Sequence, residues 1–222
     1  MDPREHDEGG GGAYGGPEGL QLCPWERREQ YGFLNALYLT TREVLGDPSR
    51  FFRRMPTRVG LAQPLLYALV LGIATTLLGW IWSVSGASLK SLAPGSVLQD
   101  ILGPMPSFLR FVASPLTVAL DVTLRASLMH LMLRVLGGNQ LGFEATFRVA
   151  TYAKAAGVVA LVPFCGGVAA PLWELAIDVI GLYRIHGTDP WRALVAVLGP
   201  ALLCLWGVVA AVLLFFVRSG LS

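Results

Sequence analysis

Charged residues are scarce in this chain. Only 14% of its 222 residues are Asp, Glu, Lys or Arg, whereas a soluble domain has about 25%. Hydrophobic residues make up 54% of the sequence and fall in long blocks, and the mean hydropathy is +0.56. This composition excludes an ordinary soluble domain and indicates a polytopic membrane protein.

Cysteines are few and scattered. Cys23, Cys165 and Cys204 form no CxxC pair, so their spacing excludes a disulfide framework and a zinc ribbon. We expect Cys165 and Cys204 to be small packing residues. The start, MDPREHDEGG, lacks an apolar stretch, and we therefore expect no cleavable signal peptide.

Motifs for chemistry are also missing from the sequence. It contains no nucleophile–base pair, HExxH, P-loop or dinucleotide fingerprint, so we expect a protein that is not an enzyme and has no cofactor or metal. The net charge is +2, and the basic residues crowd against apolar runs without a recognisable binding motif. This pattern argues against a nucleic-acid partner.

The chain divides into three regions: a glycine-rich tail (1–22), a juxtamembrane region (23–60) and a membrane domain (61–218). Seven of the twelve positions from Gly9 to Leu20 are glycine. Such a segment buries too little apolar area to offset its ordering entropy, so the tail is predicted to be disordered.

The juxtamembrane region predicts two amphipathic helices separated at Gly46 and Pro48. Phe33, Leu34, Leu37 and Leu45 form the apolar stripe of the first helix. In the second, aromatic residues and arginines interleave, which is typical of an interfacial helix on an anionic leaflet. The alternative is that the apolar face docks on the protein's own helices, and both can hold. The residues predicted to face lipid or a partner are Arg50, Phe51, Phe52, Arg53, Arg54 and Arg58.

Five apolar segments predict an all-α bundle of five transmembrane helices. They are Leu61–Trp82, a segment from about Ser107 to Leu136, the two arms of a hairpin from Arg148 to Arg184 that turns at Pro163–Gly167, and Trp191–Val217. A loop with Lys90 and Asp100 follows the first segment. Eleven arginines fall on the N-terminal side, against Lys90, Arg110 and Arg218 on the other. The positive-inside rule then places the N-terminus in the cytoplasm and the C-terminus outside. The eleven are Arg27, Arg28, Arg42, Arg50, Arg53, Arg54, Arg58, Arg134, Arg148, Arg184 and Arg192.

Ionisable residues inside these segments form the predicted intramembrane polar network. Its members are Asp121, Arg125, Lys154, Glu174 and Asp178. An ionisable group in hydrocarbon costs about 3 kcal/mol or more and therefore needs a partner or water. Depths counted along the helices predict Lys154–Asp178 and either Arg125–Glu174 or Arg125–Asp121 contacts. Three acids against two bases leave room for one protonated carboxylate. Two interpretations stay open: a structural network that fixes helix neighbours, and a polar cavity for an ion, proton or small solute.

Several segments in order resemble the Ypt-interacting-protein (Yip) domain family of five-span membrane proteins, particularly its prokaryotic-type members. These segments are GDPSRFF (46–52), AQPLLYALVLG (62–72), HLMLRVLGG (130–138), GFEATFRVATYA (142–153), GLYRIHG (181–187) and DPWRAL (189–194). The resemblance implies a five-helix bundle with a cytoplasmic N-terminal region. Eukaryotic members are associated with Rab-type small GTPases and vesicle formation, and prokaryotic-type members have no settled activity. The Gly-Pro motif that eukaryotic members carry before the first span is not found there, and Lys154 stands where a small or neutral residue is expected.

The function expected from these observations is that of a membrane-organising or scaffold protein without catalysis. The alternative is a small transporter or channel subunit that uses the polar network. Anionic membrane lipids are the expected partners, and a homo-oligomer or a protein partner stays open. If the protein is prokaryotic, the expected location is the inner membrane.

Overall fold

The computed structural model describes residues 21–84, 107–162 and 165–219. The predicted disordered tail apart from its last two residues, residues 85–106 of the loop with Lys90 and Asp100, and the first two residues of the predicted turn, Pro163 and Phe164, lie outside the described residues. All the elements in the described residues are helical, which confirms the all-α fold class.

The N-terminal region consists of short helices. A 3₁₀ helix (Pro24–Arg27) leads into α1 (Arg28–Tyr31), followed by α2 (Phe33–Gly46) and α3 (Pro48–Arg53). Between α1 and α2, Gly32 has φ +78°, a left-handed backbone that favours glycine. Between α2 and α3, the Asp47 side chain accepts a 2.9 Å hydrogen bond from the Arg50 backbone N–H. This N-cap, together with Pro48 in the first turn, starts α3 where the sequence indicates.

Longer helices follow. They are α4 (Ala62–Val84), α5 (Ser107–Val135), α6 (Phe143–Tyr152), a second 3₁₀ helix (Ala153–Leu161), α7 (Gly166–His186) and α8 (Pro190–Ser219). Among the described residues, Ala62–Ile81 and Phe111–Val135 are long and apolar enough to cross a membrane. Pro190–Leu203 is a shorter apolar stretch at the start of α8.

The third apolar segment is not a regular α-helix. It begins as α6 and continues for nine residues as the second 3₁₀ helix, which is long because 3₁₀ runs beyond three or four residues are uncommon. The small side chains of Ala153, Ala155 and Ala156 are buried there, and a Cβ at Gly157 would lie 3.1 Å from Thr75 of α4. Small residues thus let this segment pack closely against α4.

An aromatic cluster holds the N-terminal region on the long helices. Trp25 meets Tyr67 with ring centroids 5.7 Å apart, and Phe51 meets Tyr152 at 5.3 Å. Phe51 and Phe52 are fully buried because α3 packs against α7, where the Phe52 ring lies about 3.0 Å from the Cβ position at Gly181. The prediction that Phe51 and Phe52 face lipid or a partner is therefore wrong.

The arginines of the same segment behave differently. Arg50, Arg53 and Arg58 are exposed, whereas Arg54 is half-buried and forms an ion pair with Glu43. The interleaved pattern thus separates: the aromatic side chains point into the protein and three of the four arginines point away from it. This arrangement corresponds to docking of the apolar face on the protein's own helices, the alternative that the sequence left open.

Candidate functional site

The five ionisable residues predicted for the apolar segments meet in one place. Asp121 and Arg125 are one turn apart on α5, Lys154 lies in the second 3₁₀ helix, and Glu174 and Asp178 are one turn apart on α7. Salt bridges connect all five side chains across these three elements. We call this set of five residues the charged layer.

Charges alternate in sign through the charged layer. Asp121 Oδ2 lies 2.6 Å from Lys154 Nζ, and Lys154 Nζ lies 3.0 Å from Glu174 Oε1. The same Glu174 oxygen contacts Arg125 Nη1, which lies 3.2 Å from Asp178 Oδ2. Arg125 Nη2 also donates a 2.8 Å hydrogen bond to the Ala150 carbonyl. Each base therefore sits between two acids.

The pairing differs in part from the sequence prediction. An Arg125–Glu174 contact is present, whereas Lys154 pairs with Asp121 and Glu174, and Asp178 pairs with Arg125. Within the described residues no salt bridge joins Lys154 to Asp178 or Arg125 to Asp121. The prediction compared depths along the helix axes only, and the direction in which each side chain leaves its helix decides between neighbours at similar depth.

Exposure changes along the charged layer. The Asp121 side chain is 35% exposed and the Asp178 side chain is 2% exposed. Lys154, Glu174 and Arg125 are intermediate. With three acids and two bases, the fully ionised layer carries a net charge of −1 (2 − 3). The ionised layer is thus negative overall, most exposed at Asp121 and almost fully buried at Asp178.

A second buried ion pair escaped the sequence prediction. Arg148 Nη2 of α6 contacts Glu26 Oε1 of the first 3₁₀ helix, and both side chains are at least 96% buried. The Tyr152 hydroxyl donates a 2.8 Å hydrogen bond to the same oxygen, and Arg148 Nη1 donates to the Gly60 carbonyl at 3.1 Å. In the positive-inside count, Arg148 is only one of the eleven arginines on the N-terminal side. The i,i+4 spacing of Glu144, Arg148 and Tyr152 on one helix face is the signal that could have singled it out.

Further hydrogen bonds fix the N-terminal region at this place. Glu144 Oε1 accepts from the backbone N–H groups of Val59 and Gly60, both at 2.8 Å. Trp25 donates from Nε1 to the Gln63 carbonyl at 2.9 Å. Cys23 Sγ lies 3.2 Å from the Tyr152 hydroxyl, and burial raises the pKa of the Cys23 thiol to about 11. The N-terminal region is therefore an integral part of the fold.

Two histidines share one threonine near the ends of α5 and α7. His186 Nε2 lies 3.0 Å from Thr146 Oγ1, and His130 Nδ1 lies 3.1 Å from the same oxygen. The Leu141 backbone N–H donates to His186 Nδ1, so the ring proton of neutral His186 sits on Nε2. Burial, and secondarily His130, lower the pKa of His186 to about 4.

Large apolar side chains on α2 are exposed, and one of them, Phe33, also packs edge-on against Trp25 with ring centroids 5.3 Å apart. Phe33, Leu34 and Tyr38 are 49%, 75% and 62% exposed. Leu34 and Tyr38 are one turn apart, and the exposed Arg42 follows after another turn. We call Phe33, Leu34 and Tyr38 the apolar face of α2.

A family model described as the Yip1 domain matches residues 42–211. The chain belongs to the Yip1 domain family. The matched residues begin in α2 and end in α8, and they include the whole charged layer, Arg148 and both histidines, whereas Glu26 precedes them. The Yip1 family and the two apolar helices identify a membrane-associated protein. No curated protein and no solved structure matches this Yip1-domain chain.

Proposed function

We propose that this Yip1-domain protein organises membranes as a non-catalytic scaffold, and that its N-terminal region acts on the lipid of the cytoplasmic leaflet. The observation that carries the proposal is the apolar face of α2, which is exposed on a region that is otherwise locked to the long helices. Because the side chains of the apolar face of α2 are exposed to solvent, their contact with another apolar environment is favourable. The membrane beside α4 supplies such an environment.

The proposed topology has five spans, with the N-terminus in the cytoplasm and the C-terminus outside. Ala62–Ile81 and Phe111–Val135 supply two spans. In the third segment the ten residues of α6 rise about 15 Å, and the nine of the second 3₁₀ helix rise about 18 Å, enough for a core of about 30 Å. Helices α7 and α8 supply the fourth and fifth spans, and the excess of arginines on the N-terminal side supports the orientation.

Two kinds of contact with an anionic leaflet support the lipid interaction. Fully burying one large apolar side chain contributes about 1.5–3 kcal/mol, and each basic residue near an anionic surface adds about 1 kcal/mol. Phe33, Leu34 and Tyr38 supply the apolar contact, in place of the buried Phe51 and Phe52. The exposed arginines in the N-terminal region, Arg42, Arg50, Arg53 and Arg58, supply the charge.

The N-terminal region is rigidly attached to the long helices, and for this reason its contact with lipid deforms the bilayer. The Glu26–Arg148 pair and the Trp25–Gln63 hydrogen bond hold the N-terminal region against the long helices. An apolar face inserted into one leaflet by a rigid body displaces headgroups on that side only. Asymmetric insertion of this kind favours curvature, which is the basis of the proposed membrane-organising role.

The test compares proteoliposomes by electron cryomicroscopy at fixed protein-to-lipid ratio, with and without anionic lipid. We expect the native chain to narrow the vesicle diameter distribution when anionic lipid is present. The double variant Leu34→Ser/Tyr38→Ser should lose most of this effect, whereas Asn35→Ser, an exposed polar position on the same helix, should retain it. Equal deformation by the native chain and the double variant would overturn the role proposed for the apolar face of α2.

A small transporter or channel subunit is the second candidate function. It is favoured by the unequal exposure of the charged layer, in which the Asp121 side chain is 35% exposed and the Asp178 side chain 2%. Flux of protons or small cations into liposomes tests it. We expect Asp121→Asn and Asp178→Asn to reduce the flux and Asp189→Asn, a surface control, to leave it unchanged. Flux that is the same in all four proteins counts against transport.

A further inference from the structure

We propose that the charged layer binds one proton and that this proton resides on Oδ1 of Asp178. The inference concerns the occupancy of the site and is independent of the membrane-organising role. It deepens the transport candidate, since it names the ligand, but a bound proton does not require that the proton crosses the membrane.

The charge balance of the layer favours one bound proton. Arg125 and Lys154 each lie between two carboxylates, and together they compensate two of the three negative charges. The third charge stays uncompensated if all five groups are ionised. An uncompensated charge inside a protein costs several kcal/mol, and a single bound proton removes it.

The geometry of the three carboxyl groups assigns the proton to Asp178. Asp121 is the most exposed and lies 2.6 Å from Lys154, and Glu174 Oε1 contacts both cations. Asp178 contacts only Arg125, at 3.2 Å and through Oδ2 alone. No donor among the described residues reaches its other oxygen, Oδ1, which is fully buried. Of the three acids, Asp178 therefore gives up the weakest ion-pair contact when it is protonated. Its protonation also removes the most deeply buried negative charge.

The charged groups around Asp178 act in opposite directions. Arg125 of α5 and Lys154 of the second 3₁₀ helix favour its carboxylate form, whereas Glu174 of its own helix and Asp121 of α5 oppose it. Lys154 and Asp121 form an ion pair with each other at 2.6 Å, so their effects on Asp178 largely cancel. Release of the proton would leave one negative charge beside Arg125, so occupancy of Oδ1 affects the ion pairs that join α5 to α7.

Infrared spectroscopy of the full chain in lipid nanodiscs tests the assignment. A protonated carboxyl group has a C=O stretch that is separate from the carboxylate bands. We expect the native protein at neutral pH to show this stretch and to shift it when aspartate is labelled with ¹³C at the carboxyl carbon. Asp178→Asn should remove the band, and Asp189→Asn, which changes an exposed carboxylate paired with Arg192, should retain it.

Three outcomes would overturn the proposal. The native protein would show no protonated carboxyl at neutral pH, the band would not respond to the aspartate label, which places the proton on a glutamate, or the band would persist in Asp178→Asn. The labelling experiment uses the native chain, so it still separates aspartate from glutamate if Asp178→Asn fails to fold, and Asp121→Asn should retain the band. Thermal stability that rises with sodium concentration while the band is missing would assign the site to a metal cation. Vesicle deformation and flux are measured separately, so failure of either proposed function is distinguishable from failure here.

Discussion

Arg148 Nη2 contacts Glu26 Oε1 although the two residues are 122 positions apart in the sequence. The pair lies inside the protein, and each partner makes a further hydrogen bond, Glu26 with the Tyr152 hydroxyl and Arg148 with the Gly60 carbonyl. It joins the first 3₁₀ helix to α6, and it thereby makes the N-terminal region part of the same folded unit as the long helices.

Removing one member of this pair should be strongly destabilising. Arg148→Ala leaves the Glu26 carboxylate buried without its cation, which typically costs about 3–5 kcal/mol. We expect a much lower melting temperature in detergent, measured by circular dichroism, and rapid tryptic cleavage at Arg27 and Arg28. The control is Arg192→Ala, which breaks the exposed pair with Asp189 and should cost less than about 1 kcal/mol. Equal effects of the two substitutions would contradict the structural role assigned to Arg148.

Cys23 should react slowly with thiol reagents. Because the pKa of its thiol is raised from 9.0 to about 11, the thiolate fraction at neutral pH falls about a hundredfold, before steric protection is added. The measurement is the maleimide modification rate of the Cys165→Ser/Cys204→Ser variant. The Cys23→Ser/Cys204→Ser variant, which keeps only the exposed Cys165, should react much faster. Denaturation of the first variant in detergent should restore an ordinary rate, and comparable rates in the two folded variants would argue against burial of Cys23.

Stability should fall in mild acid because of His186. Its pKa is lowered from 6.5 to about 4 in the fold, so the unfolded chain takes up a proton first as the pH falls. The stabilising contribution is complete above about pH 6.5 and is lost as the pH falls toward 4, a loss of about 3 kcal/mol. Melting temperatures measured across this window should fall more steeply for the native chain than for His186→Gln. The same slope in both proteins would mean that other groups cause the effect.

Two glycines of α4 should respond oppositely to alanine. A Cβ at Gly72 would meet both methyl groups of Val118 on α5 within 3.0 Å, and the stiff valine cannot move aside without strain. Gly72→Ala should therefore destabilise the protein by about 1–3 kcal/mol. At Gly79 nothing lies within 4 Å of the added Cβ, so Gly79→Ala should be neutral or stabilise by up to about 1 kcal/mol. Thermal unfolding of both variants in detergent provides the comparison, and similar results for the two would contradict close α4–α5 packing.

The sequence predicts this protein best where one signal dominates. The family resemblance and the all-α class are confirmed. Helix α2 ends at Gly46 and α3 begins at Pro48, because glycine and proline restrict the backbone locally. The members of the charged layer could be selected because ionisable groups stand out in apolar segments, where each of them needs a partner.

Predictions that depend on orientation around a helix axis were less successful. Phe51 and Phe52 look lipid-facing from their arginine neighbours, yet α3 turns them toward α7. The change from α-helix to 3₁₀ helix after Tyr152 has no residue that marks it in the sequence. The Glu26–Arg148 pair joins positions so distant that only the folded chain brings them together.

The buried pair also sets an order of events during synthesis. Glu26 leaves the ribosome 122 residues before Arg148, a delay on the order of ten seconds at ordinary elongation rates. During this interval the first two long helices, α4 and α5, are synthesised, while the Glu26 carboxylate still lacks its ion-pair partner Arg148. The N-terminal region therefore completes its fold only after α6 has been translated, and a chain stalled before Arg148 leaves residues 21–60 open to proteases and chaperones.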